Sequence, residues 1–526
     1  MQIEIRAIVA ATMLTFALLP GGSAATAPVV STDAGRLSGL AIPHSTVTVF
    51  RGVPFAAPPV GDLRWRPPAP VHPWNGIRRA DRFSDSCMQR TVKELLPWTE
   101  EFMTQLPVSE DCLYLNVWTP QVSARARLPV IVFIHGGAFT GGAGSIQIYD
   151  GTNLAATGVV VVTINYRLGV FGFFAYPGLT AESEHHASGN YALMDQLAAL
   201  RWVRRNIRQF GGDPARVTIW GQSAGAFSVV ALTASPLGAG LFERAQADSG
   251  VGVTGFPMPS LQEAEQAGVK YAEAHHARSL AQLRAMPAAE LLPAPVDFSV
   301  RFGPDIDGWV LPATPQQLSD RGVDNDVPFT TGYQANDGML FMRPLHTVAE
   351  YERWAQQQFG DLAPEFLKLY PAAAAKDVAP AIQASDRERD RVSMYLWSVR
   401  RAANHHAPIF TYFFDRAIPW PQHPEFGAFH TGEIPYFFRN LNLLDRPWEP
   451  VDHAVAQEAS SYLKNFAAAG DPNGDSLPHW APIKAGVPET MEIGAHTGMM
   501  PLAPPAQLAF WKKYFASPAA QHAPLF

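Results

Sequence analysis

The sequence predicts an α/β fold with a central, mostly parallel twisted sheet flanked by helices, and three observations carry that reading. LPVIVFIH (128–135) and GVVVVTINYR (158–167) are nearly continuous β-branched apolar runs, the pattern of strands covered on both faces. Residues 190–210 place Leu193, Leu197, Leu200, Val203 and Ile207 on one helical stripe, with Arg204, Arg205 and Arg208 elsewhere on the wheel. A further apolar run, VTIWG (217–221), leads into another apolar helical segment. Strand, helix, strand, helix implies parallel strands joined by crossovers.

From the N-terminus, Arg6 precedes an apolar stretch from Ile8 to Leu19, and Pro20 to Ala25 supplies small residues for cleavage. This pattern predicts a signal peptide over residues 1–25, cut near 24–27, because about 12 apolar residues are too few for a spanning helix of about 20. No later stretch is long and apolar enough to span a bilayer. The mature chain, 26–526, is expected to be a single domain without linker-like segments, secreted or periplasmic, with no membrane attachment after cleavage. Further strands are expected over VPFTTGYQ (327–334) and APIFTYFFD (407–415). Residues 255–325 and 345–405 are mostly helical in pattern and read as insertions over the sheet, roofing the site.

Composition narrows the function. Hydrophobic residues make up 47% of the chain, enough for a large core. The formal net charge is −7 and the 40 Lys and Arg are scattered, which argues against a nucleic-acid or anionic-membrane partner. A neutral or cationic small molecule fits better. An exported chain with two cysteines, Cys87 and Cys112, is expected to pair them. The bond would close a loop of about 25 residues and stabilise by about 3 kcal/mol.

The chemistry centres on GQSAG (221–225). A GxSxG pattern arises roughly 0.2 times by chance in a chain of this length, so context decides. Here it follows a buried strand and opens a helix, which places Ser223 on a sharp turn with its oxygen above the sheet. Side chains at 221 and 225 would collide in such a turn. The helix N-terminus aims the Ala224 amide at an oxyanion formed there. HGGAF (135–139) follows the first central strand, and Gly137 and Ala138 can turn their amides to the same point.

With these residues the sequence resembles the type-B carboxylesterases, the cholinesterase-like branch of the α/β-hydrolases. The likeness also runs through FRGVPFAAPPVGDLRWRPP (50–68), SEDCLYLNVWTP (109–120), NYRLGVFGF (165–173), GNYALMDQLAALRWVRRNIRQFGGDP (189–214), FGPDIDG (302–308) and GDPN (470–473). It implies an α/β-hydrolase fold, ester hydrolysis and, independently of the cysteine count, a Cys87–Cys112 disulfide.

A serine hydroxyl needs an imidazole to take its proton and a carboxylate to hold the imidazole's tautomer. The fold orders them Ser, acid, His. Among 16 histidines, those at 185, 275 and 405 sit beside a second histidine that points to another face, so neither catalysis nor chelation follows. His430, in FGAFHTGEIPYFF, resembles the family's histidine motif. For the acid the family usually has Glu before a Gly; GYQANDG offers Asp337, one methylene shorter, so loop or ring must close about 1.5 Å. Asp324 and Asp326 are structural alternatives. Before the nucleophile the family commonly has Glu, and this chain has Gln222. A carboxylate there would favour the imidazolium, so activity is expected to extend to lower pH than in Glu-bearing relatives. Ser249 and Glu433 resemble supporting residues that orient a water near the base, with structural hydrogen bonding an equal reading. Phe139, Phe174 and Phe341 either line an apolar gorge or simply pack.

The expected activity is a cofactor-free, metal-free serine esterase acting on a small-molecule ester. A specialised lactone or natural-product ester hydrolase is the nearer rival; a non-catalytic cholinesterase-like binding module is the other, but such modules usually lose a triad member. Oligomeric state and the physiological ester are not legible in the sequence.

Overall fold

The computed structural model describes residues 27–253, 258–292, 302–338 and 345–522, so the leader at 1–25 and Phe341 lie outside the described residues. An 11-stranded sheet organises them. Its strands are β1 (Leu40–Ala41), β2 (Thr48–Pro54), β3 (Tyr114–Thr119), β4 (Leu128–Ile134), β5 (Val160–Ile164), β6 (Gly212–Gln222), β7 (Arg244–Asp248), β8 (Phe329–Gln334), β9 (Ile409–Phe414), β10 (Glu489–Ile493) and β11 (Gly498–Pro501). Across the sheet they run β11-β10-β9-β8-β7-β6-β4-β5-β3-β2-β1. From β10 to β5 every neighbouring pair is parallel; the outer pairs are antiparallel.

The apolar runs sit where their composition demands. Alternate residues of β4 and β5 feed opposite layers: Val130, Val132, Ile134, Val160, Val162 and Ile164 join one core cluster, and Ile131, Phe133 and Val161 the other. The first layer is closed by helices α1 (Tyr191–Asn206) and α2 (Ala224–Ala234). In α1 the stripe Leu193, Leu197, Leu200 and Val203 is buried, as is Ile207 beyond it, while Arg204, Arg205 and Arg208 are exposed. The second layer is closed by α4 (Pro450–Ala469) through Val455, Ala459, Leu463 and Phe466. The expected helical insertions appear as Leu261–Ala274, Leu280–Ala285 and Pro315–Asp320, then Val348–Phe359, Ala363–Leu369 and the long α3 (Ala375–Ala402).

Motif residues outside the GQSAG turn brace this frame. Arg167 grips Asp195 of α1 by two bonds, Nε to Oδ2 at 2.8 Å and Nη2 to Oδ1 at 2.7 Å, both side chains buried. Cys87 and Cys112 are joined by a disulfide. Among the described residues no helix is long and apolar enough to cross a membrane.

Candidate active site

β6 ends at Gln222 and α2 begins at Ala224, so a single residue makes the turn between them. That residue, Ser223, has φ 58° and ψ −124°, a conformation L-residues rarely adopt. Its N–H donates to Asp248 O at 2.9 Å and its carbonyl accepts from Phe227 N at 3.1 Å, which fix the strained turn from both sides. The flanking glycines are obligatory. A Cβ on Gly221 would lie 2.2 Å from Gly225 O, and one on Gly225 would lie 2.0 Å from Ile134 O. The first turn of α2 leaves the Ala224 amide without an intrahelical partner.

The loop after β4 curls towards the same turn. Gly137, Ala138 and Phe139 all have positive φ, at 110°, 53° and 61°. A Cβ on Gly137 would meet Gly141 O at 2.2 Å, and Gly137 O accepts from Thr140 N and Gly141 N at 2.9 and 3.0 Å. Gly137 and Ala138 are exposed, with amides that donate to no backbone carbonyl among the described residues. His135 anchors the base of the loop. It stacks on Tyr166 with centroids 4.3 Å apart, and burial pushes it down to about 4, so it is neutral there.

His430 and Asp337 come together from loops after β9 and β8. His430 Nδ1 is 2.5 Å from Asp337 Oδ1, and Asp337 Oδ2 accepts from Gln334 N and Ser249 Oγ, each at 2.8 Å. A carboxylate at Nδ1 keeps the proton on that nitrogen and leaves Nε2 as an acceptor. Nε2 lies 3.2 Å from Gln222 Nε2, so residue 222 lies beside the imidazole. The two loops are tied by Asn336 N to Ala428 O at 2.9 Å and Ala428 N to Asn336 Oδ1 at 3.1 Å. Trp98 Nε1 donates to His430 O at 3.0 Å.

Two further acids lie under this pair. Burial pushes Asp248 up to about 7, against the stabilising bonds from Trp220 and Gln246. Burial, reinforced by Asp248 and Asp337, raises Glu433 well above the usual carboxylate range, and its carboxyl oxygens hydrogen-bond no other described residue. Glu433 therefore does not hold His430 by a direct hydrogen bond, whereas Ser249 does hold Asp337. Asp324 and Asp326 are committed elsewhere: Asp324 to Arg401 and His405, Asp326 to the amides of His406 and Ala407. His185 stacks on Trp309, and His275 bonds Tyr271 O. Phe174 is ringed by Trp65, Tyr176, Tyr271 and Phe302 and is core packing, not a gorge wall. Phe139 packs edge-on against Phe173. Among the described residues no group of His, Cys, Asp and Glu is placed to hold a metal ion.

The chain matches the Carboxylesterase family over residues 26–511. It belongs to that family. The enzyme is 36% identical to a fumonisin B1 esterase of Sphingopyxis macrogoltabida, over 89% of this chain and 86% of that one. It is 35% identical to a para-nitrobenzyl esterase of Bacillus subtilis, over 88% and 94%, and 33% identical to a human cocaine esterase, over 94% and 92%. A solved PNB esterase structure superposes with a TM-score of 0.75 at 30% identity, covering 92% of this chain and 100% of that one. The enzyme is thus a carboxylic-ester hydrolase of the α/β-hydrolase fold.

Sequence reasoning missed Gln89, which joins the disulfide loop to the HGG loop. Its Nε2 donates to Cys87 O at 2.9 Å and Gly142 O at 2.8 Å, and its Oε1 accepts from Gly142 N at 2.8 Å. Only its position two residues after Cys87 hinted at this. Trp98 and Thr431 were also missed; Trp98 lies in none of the motifs, and within FGAFHTGEIPYFF only His430 and Glu433 were singled out.

Proposed function

We propose that the enzyme is an exported serine carboxylesterase that works through an acyl-enzyme, with Ser223 as nucleophile, His430 as base and Asp337 as the orienting acid. Ser223 Oγ attacks the ester carbonyl carbon while His430 Nε2 takes its proton. The carbonyl oxygen becomes an oxyanion, received by the amides of Gly137, Ala138 and Ala224, each such donor being worth about 3 kcal/mol. Collapse expels the alcohol, which leaves with the proton from His430. Water then enters, gives its proton to His430 and releases the acid by the reverse sequence. The chemistry calls for no cofactor.

The observation that carries this reading is the strained, glycine-flanked turn at Ser223, since a non-glycine residue at φ 58° between a buried strand and a helix is a backbone cost that function explains. The 2.5 Å contact of His430 with Asp337 supports the other two roles. A single mature domain from residue 26 is supported by the family match over 26–511 and by the continuous sheet. The disulfide supports export, because such bonds persist in oxidising compartments.

Relatives named for fumonisin B1, cocaine and para-nitrobenzyl esters support a second, finer reading: a hydrolase specialised for one natural ester or lactone. A panel of p-nitrophenyl esters and lactones tests both. Turnover of simple esters that disappears in Ser223→Ala supports the esterase assignment; turnover confined to lactones favours the specialised reading; turnover retained in Ser223→Ala overturns the mechanism.

A further inference from the structure

Thr431, immediately after His430, has φ 80°. A β-branched residue in left-handed backbone is a genuine outlier, so the position asks what the side chain does that glycine could not. Its Oγ1 donates to Gln222 Oε1 at 3.2 Å, and both side chains are buried. With its oxygen engaged by Thr431, Gln222 presents its amide nitrogen to His430 Nε2 at 3.2 Å. An amide N–H aimed at Nε2 matches a neutral ring that accepts there and opposes an imidazolium that donates there.

We propose that Thr431 and Gln222 form a polarity lock on the base: the Thr431 hydroxyl fixes the orientation of the Gln222 amide, and the amide favours the neutral, proton-accepting form of His430 over the imidazolium. Both are positioning residues, and the inference rests on the reading of His430 as base. If the hydroxyl is lost, the amide is free to turn over and offer Oε1 to the protonated ring, which favours the imidazolium. The base then holds its proton to higher pH.

The other ionisable groups around the base stay fixed in this comparison. They are Asp337 on Nδ1, Glu433 on the same turn, Asp248 at the end of β7, the Arg389–Asp386–Asp390 cluster that interacts with Asp337, and Glu101 with Arg446, which bonds Thr99 next to Trp98.

The test is the pH profile of kcat/KM for a p-nitrophenyl ester in Thr431→Val, Thr431→Ser, Gln222→Glu and the Thr431→Val/Gln222→Glu double variant, with Ser223→Ala alongside. Val keeps the branched shape and loses only the hydroxyl. Thr431→Val should move the acidic limb upward by about half a pH unit, a loss of about threefold on that limb. Thr431→Ser should keep the wild-type limb. Gln222→Glu should move it further up, and adding Thr431→Val should change it no more, because a carboxylate has no amide to orient. An unmoved limb in Thr431→Val, or a shift in Ser equal to that in Val, overturns the lock. Turnover in Ser223→Ala overturns instead the mechanism beneath it. If Thr431→Val misfolds by circular dichroism, Thr431→Gly, which suits the backbone, must show the same upward shift, and an unshifted limb there overturns the lock equally.

Discussion

His430 Nδ1 and Asp337 Oδ1 lie 2.5 Å apart, while the second oxygen of Asp337 is held by the backbone N–H of Gln334 and the hydroxyl of Ser249. The Gln334 donor cannot turn away. In Asp337→Asn the amide oxygen must therefore face Gln334, which points the amide nitrogen at His430 Nδ1 and forces the ring into the wrong tautomer. We expect kcat to fall by about 10³- to 10⁴-fold with the fold intact by circular dichroism. A loss smaller than about tenfold would show that Asp337 is not the orienting acid.

Gln89 bridges the disulfide loop and the loop that carries Gly137 and Ala138. Gln89→Ala removes both clamps on Gly142 without touching the reacting groups. Small displacements of oxyanion donors are costly, so kcat should drop by about 10- to 100-fold at nearly constant KM. Steady-state kinetics with a p-nitrophenyl ester reads this, and a pure KM effect would place Gln89 in substrate binding instead.

The disulfide contributes to stability through the loop that it closes. Replacing both Cys87 and Cys112 with Ala should lower the unfolding free energy by about 3 kcal/mol in urea titrations. A difference below about 1 kcal/mol would mean that packing around the loop already restrains it.

Asp248 is buried, and its folded-state value of about 7 lies above the 3.8 of an exposed carboxyl. A raised carboxyl destabilises the fold once the unfolded chain can ionise it: the penalty is absent below about pH 4, grows as pH rises, and is complete above about pH 7. Asp248→Asn, whose one amide oxygen can still accept from both Trp220 and Gln246, should stabilise by up to about 4 kcal/mol at pH 8 and by almost nothing at pH 4. Thermal unfolding at the two pH values checks it, and an equal effect at both would locate the cause in packing.

Legibility followed local chemistry. The central strands were readable because a run such as Val160 to Ile164 is apolar on both faces, and α1 because its stripe is amphipathic. The turn at Ser223 was readable because its glycines answer a steric need that sequence context exposes. The short edge strands, such as Leu40–Ala41 and Gly498–Pro501, have no period of their own and are set by their neighbours. Long-range polar contacts stayed hidden for the same reason. Nothing near Gln89 announces Gly142, and nothing near Thr431 announces Gln222, because the sheet topology and not the local sequence brings them together.

The central claim, that Ser223 forms a covalent acyl-type intermediate, is tested most directly by intact-protein mass spectrometry after reaction with diethyl p-nitrophenyl phosphate, followed by peptide mapping. The wild-type enzyme should take up one diethylphosphoryl group on Ser223 in step with loss of ester turnover, and Ser223→Ala should take up none. Modification of another residue in step with inactivation, or full inactivation without modification of Ser223, would contradict it.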